Sequence, residues 1–153
     1  MLFRSYAVDG GDLRSGTSLT LTDEGAHTLT YFSTDRAGNG EQLQSVVVRI
    51  DRTAPTIAHL FTPLSYTDGA WTNHAVTVSF DCADQGGSGV ASCSAPVTVS
   101  EEGEAQQVVG TVTDHAGGSA TDTAVVSIDR TDPTITASED RPADHGAWYD
   151  ADV

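Results

Sequence analysis

An eight-residue string constrains this chain more than any other feature. Ile50-Asp51-Arg52-Thr53-Ala54-Pro55-Thr56-Ile57 returns 78 residues later as Ile128-Asp129-Arg130-Thr131-Asp132-Pro133-Thr134-Ile135. A strand-like run leads into each copy and another follows each proline. Pro55 and Pro133 fix their own φ and push the preceding residue toward extended backbone. An internal period of this length decides architecture before total length does. Both strings therefore read as joints between tandem modules. Residues 51–128 are expected to be one complete module, 1–50 the end of another and 129–153 the start of a third. Gly146-Ala147-Trp148 echoes Gly69-Ala70-Trp71 in that third copy. The phase predicts an excerpt of a longer array.

Within the period, apolar residues alternate and never recur at helical spacing over a useful length. Val76, Val78 and Phe80 alternate with Thr77, Ser79 and Asp81, the pattern of a half-buried strand. The same reading predicts strands over 4–8, 18–22, 28–33 and 42–50 in the first module. In the second it predicts strands over 57–61, 76–81, 90–93, 97–99, 107–113 and 120–128. Turn clusters rich in Gly, Asp and Ser recur every 8–12 residues or so, which fits an all-β sandwich of antiparallel strands. Asp35 and Asp114 head two loops, Thr-Asp-X-Ala-Gly followed by Asn39 or Gly118. Each Asp is suited to an Asx turn, and Asn39 and Gly118 are the expected left-handed residues.

Charge narrows the partners. The chain carries 22 acidic residues against seven Arg and no Lys, for a net charge of −15. Such a surface repels nucleic acid and anionic membranes and favours cations. No run is long and apolar enough to span a bilayer. Met1-Leu2-Phe3 is followed at once by Arg4, so no signal peptide is expected there. Without Lys, a Lys–Asn isopeptide crosslink is excluded.

The frame His27-Thr-Leu-Thr-Tyr31, Thr34-Asp-Arg-Ala-Gly-Asn39, Val46-Val-Val-Arg-Ile-Asp-Arg-Thr-Ala-Pro-Thr-Ile57 resembles the bacterial immunoglobulin-like tandem repeats of secreted and cell-surface proteins. Trp71, Val76-Thr-Val-Ser-Phe-Asp-Cys82 and Ser88-Gly-Val-Ala-Ser-Cys93 resemble a disulfide-bearing branch of it. The resemblance covers nearly the whole chain, with Gly118 and Asp132 as departures. It implies Greek-key β-sandwich modules in tandem, secreted or on a cell surface. They would work without catalysis as a structural spacer, a stalk or an adhesin segment, in contact with neighbouring modules of the same chain. The alternative is a carbohydrate- or protein-binding module of an adhesin or secreted enzyme, taking a glycan or host protein.

Cys82 and Cys93 stand 11 residues apart. A disulfide is the leading reading, and an oxidising compartment would follow from it. Two buried thiols, or a zinc site with His74 and His115, are the alternatives. In an immunoglobulin-like sandwich the loops after the second strand and before the last one share an end with the joint. Asp51, Asp81, Asp84 and Asp114 would meet there and hold calcium, an ion favouring six to eight oxygen ligands. The ordinary alternative is that these residues make turns and stay solvated. Asp129 and Asp132 would act likewise for the third module. No other cofactor is expected. Trp71 and Trp148 share a repeat position, suited to packing at the sandwich edge or to stacking on a sugar ring. Arg52 and Arg130 are expected to make at most weak surface ion pairs. No enzymatic constellation is present. The five histidines, His27, His59, His74, His115 and His145, lack the spacing of a nucleophile–base pair. Gly86-Gly87-Ser88-Gly89 has no helix after it to hold phosphate.

Overall fold

The alternation seen in the sequence becomes strands throughout. The structure, a computed structural model, describes residues 3–138. Trp148, His145 and the rest of the expected third module beyond position 138 lie outside them. Among the described residues every regular element is a β-strand. Strands β1 (Phe3–Val8), β2 (Arg14–Ser15), β3 (Gly25–Thr34) and β4 (Gln44–Ile50) form one antiparallel sheet in the order β2-β1-β3-β4.

The remaining strands are β5 (Thr56–Thr62), β6 (Trp71–Thr72), β7 (Val76–Ala83), β8 (Val90–Cys93), β9 (Val97–Val99), β10 (Gly103–Asp114) and β11 (Ser119–Ile128). They make two sheets, β5-β7-β9 and β6-β11-β10-β8. Only β6 is parallel to its neighbour β11, with Trp71 opposite Ser127. Every pairing of β1–β4 is among themselves, and none bridges residues 51–55.

These two sheets stack through one shared core, an arrangement compatible with a β-sandwich. Val76 and Val78 come from β7, and Val108, Ala124, Val126 and Ile128 from β10 and β11. Phe61, Tyr66, Phe80 and Val99 close its flanks. Gly110 sits under the Phe80 ring, where a Cβ would collide with three ring carbons. The Cys82–Cys93 disulfide ties β7 to β8, hence one sheet to the other, across a Cα–Cα distance of 6.1 Å. Both thiols are thereby used, which removes the zinc alternative with His74 and His115. His59 adds a polar link: its backbone N–H donates to Asp122 Oδ2 (2.6 Å), and its Nδ1 lies 2.8 Å from the same oxygen.

The expected strand over 18–22 does not form. In the second copy the corresponding Val97–Val99 becomes β9 by pairing with Val76–Val78 of β7. No strand lies beside 18–22 to do the same, and an isolated alternating run cannot satisfy its own backbone. The loops after β3 and β10 also differ from expectation in one residue. The left-handed positions are Gly38 (φ +90°) and Gly117 (φ +97°), one residue before Asn39 and Gly118. Glycine meets that φ without a Cβ clash, which frees the next position for a side chain that reaches back to the Asp.

Candidate metal centre

Three loops converge where the joint enters the second copy. Asp51 opens the joint, Asp84 lies between β7 and β8, and Asp114 ends β10. Each carboxylate is fixed by the backbone that follows it. Asp51 Oδ1 accepts from Thr53 N–H (3.0 Å), and its Oδ2 accepts from Ser88 N–H (2.9 Å). Asp84 Oδ1 accepts from Gly86 N–H (3.0 Å) and its Oδ2 from Gly89 N–H (2.6 Å). Asp114 Oδ1 accepts from the N–H groups of Ala116 and Gly118, each at 2.8 Å. One oxygen from each of the three lies within 4.8 Å of the other two. Gly86 permits this approach, since a Cβ there would collide with the Asp51 carboxyl group.

Asp81 is not part of the group. It is exposed on β7 opposite Ala58, on the face turned away from Val76 and Val78. Strand alternation carries on past Phe80 and holds it outside.

The electrostatics of the three are one-sided. None forms an ion pair with a described Arg or His. Asp114 is only 5% exposed. Hydrogen bonding from Ser88 holds the Asp51 carboxyl below its ordinary value, outweighing the opposing effect of burial. Unit negative charges about 4 Å apart repel by about 1 kcal/mol in water and several times more in a partly buried site.

Comparison of the two copies isolates an unsatisfied oxygen. In the first, Asp35 Oδ1 accepts from Ala37 and Asn39 N–H, both at 2.9 Å, and the Asn39 side chain donates to Oδ2 (2.9 Å). In the second, Asp114 repeats the backbone bonds, but Gly118 has no side-chain amide to give. Asp114 Oδ2 accepts no hydrogen bond among the described residues. The donor set is hard oxygen throughout. Ligands bound at about 2.4 Å to one calcium ion stand no more than about 4.8 Å apart. Asp51, Asp84 and Asp114 are thus close enough together for one metal ion to reach an oxygen of each.

The joint is also held from the other side, by a glutamate that precedes it in the same copy. Arg52 N–H donates to Glu24 Oε1 (2.8 Å), and Thr53 Oγ1 donates to the same carboxylate (3.1 Å). The next joint repeats this: Arg130 N–H donates to Glu102 Oε1 (2.7 Å), and Thr131 Oγ1 donates at 3.3 Å. Asp129 Oδ1 accepts from Thr131 N–H (2.9 Å), as Asp51 does from Thr53. Glu24 and Glu102 share a repeat phase with the two joints, and that phase was the available signal. Ser88 had none beyond its place in a glycine-rich loop. Arg52 and Arg130 act through their backbone.

Trp71 is 58% exposed on β6, whose backbone pairs with β11. No protein-family model matches this chain, and no curated protein is significantly similar to it.

Proposed function

We propose that this chain is a run of immunoglobulin-like β-sandwich units strung head to tail, one whole over 51–128 with parts of two others over 1–50 and 129–153. In this reading it is a non-catalytic extracellular spacer, a stalk or adhesin segment, and calcium stiffens its joint. One observation carries the proposal: the same Asp-Arg-Thr joint is clamped by the same Glu in both copies. A chain whose most regularly repeated polar contacts lie at its joints is built to hold units at set angles. The disulfide fits the oxidising compartment that this role requires.

Calcium adds the second half of the joint. Asp51 belongs to the linker, while Asp84 and Asp114 belong to the following sandwich. An ion among them removes the repulsion and ties linker to sandwich. A thermal melt with calcium and then with chelator tests this. Calcium at 100 times its dissociation constant raises stability by about 2.7 kcal/mol. The Asp114→Asn chain should lose that increment. An unchanged midpoint in millimolar calcium removes the ion and leaves the clamped joint.

Exposure of Trp71 favours a second reading, a module that stacks on a sugar ring or docks a host protein. Saturable glycan or protein binding that disappears in Trp71→Ala would support it over the spacer.

A further inference from the structure

The loop that meets the linker from the sandwich side lies inside a covalent ring. Asp84, Gly86 and Ser88 all fall between Cys82 and Cys93, which the disulfide joins. The near end of that ring is firm. Cys82 belongs to β7, which pairs with β5 along nearly its whole length. The far end is weak by itself. β8 is a four-residue edge strand, paired only with β10 among the described residues, with a register shift between Thr113 and Asp114. Ala91, Ser92 and Cys93 are exposed, so apolar burial does little to hold it. Gly87 and Gly89 in the loop are left-handed, at φ +95° and +79°. Glycine loses more conformational freedom on ordering than other residues, so this loop depends on constraints from outside it. Asp84 bonds only within the loop, and His115 N–H donates to the Gly89 carbonyl at 3.2 Å.

The linker depends on that loop in turn. Among the described residues, 51–54 bond forward through one contact, Ser88 N–H to Asp51 Oδ2 (2.9 Å). Gly86 lies so close that a Cβ there would collide with the Asp51 carboxyl group. The linker then enters β5 at Thr56, opposite Ala83, the residue after Cys82. Linker, start of β5, end of β7 and loop form a closed circuit. The disulfide pins the loop side of it.

We propose that formation of the Cys82–Cys93 disulfide completes the joint: the dithiol chain keeps the Glu24 clamp behind the linker and lacks the Asp51–Ser88 contact ahead of it. The step rests on the reading of the joint as that of a stiffened spacer, and adds when the stiffness arises. Oxidation joins the two sulfur atoms. The two electrons and two protons pass to a small-molecule disulfide, which leaves as two thiols. Exposed Cys93 gives this exchange an open end. A chain made under reducing conditions is compliant at the joint and stiffens on reaching an oxidising compartment.

The test compares the whole chain oxidised by glutathione disulfide, reduced by a dithiol, and carrying Cys82→Ser with Cys93→Ser. Backbone NMR order parameters are measured in chelator, so that calcium plays no part. They report on the folded chain and not on its unfolded fraction. Ser88 and Gly89 should read about 0.85 when oxidised and fall below about 0.6 in the two open forms. Arg52 on the Glu24 clamp, and Val108 and Val126 in the core, should stay rigid in all three. Rigid Ser88 in every form would overturn the proposal. So would loosening of Arg52 and the core along with it, which would make the bond a general brace. Residual dipolar couplings in millimolar calcium read the joint itself. The β1–β4 sheet and the sandwich should share one alignment tensor when oxidised and show two when reduced. One tensor in every form would overturn the proposal. Two tensors in the oxidised chain would instead overturn the stiff spacer, and the Ser88 comparison would still judge the disulfide.

Discussion

Asp35 and Asp114 occupy the same place in their loops, and one neighbouring side chain separates their chemistry. Asn39 satisfies the second oxygen of Asp35, while Gly118 leaves that of Asp114 open. Gly118→Asn should therefore convert the second loop into the first. Its Cβ would collide with Asp114 Oδ2, so the carboxylate must turn toward the new amide. Calorimetric calcium affinity is expected to fall about tenfold or more. Unchanged affinity would mean that Asp114 is not a ligand.

A second residue-scale expectation concerns pH. His27 Nδ1 lies 2.8 Å from Asp9 Oδ2. That bond holds the His27 ring above its ordinary value and the Asp9 carboxyl below its own. Stability from the raised His is complete below its unfolded value and is lost as pH rises through the folded one. Stability from the depressed Asp is present above its unfolded value and is lost as pH falls through the folded one. The pair thus contributes most between about pH 4 and 6.5. An NMR titration should find His27 above free histidine in the native chain and lower in Asp9→Asn. Equal values in both would remove the pair.

Legibility at this scale followed topology. Asp51, Asp84 and Asp114 were readable together because loops at one end of a sandwich converge. Asp81 was misplaced because β7 runs on to Ala83, which keeps Asp81 on the outer face of the strand instead of in the loop.

At the scale of elements, alternation located most strands to within a few residues. It failed where pairing is not local. The 18–22 run has the right pattern and lacks a partner strand. The two-residue strands β2 and β6 have too little pattern to see. Their existence depends on the neighbours Ser5 and Tyr6, and Ser127 and Ile128. The disulfide joins elements from different sheets, so its loss should loosen the sandwich as a whole. Closing an 11-residue separation stabilises by about 2.5–3 kcal/mol in the chain-entropy model. Paired Cys82→Ser and Cys93→Ser substitutions should lower the denaturant-derived stability of this part by roughly that amount. A change under about 0.5 kcal/mol, the scale of ordinary surface substitutions, would show that β7 and β8 are held by packing alone.

For the whole molecule, the decisive feature is the stretch between strand groups. Residues 51–53 carry hydrogen bonds in both directions, to Glu24 behind and to Ser88 ahead. The 78-residue period made this joint visible in the sequence. The Glu clamp was hidden because a lone Glu in a turn has many uses, and its common use in both copies emerges only in the folded chain. The proposed spacer should behave as a stiff rod at its joint. The most direct test is a spin-label distance distribution between Thr28→Cys on β3 and Thr121→Cys on β11. With calcium present we expect one narrow population, broadened by chelator and broadened further by Glu24→Ala with Asp51→Ala. A broad distribution in the calcium-loaded native joint would contradict the account.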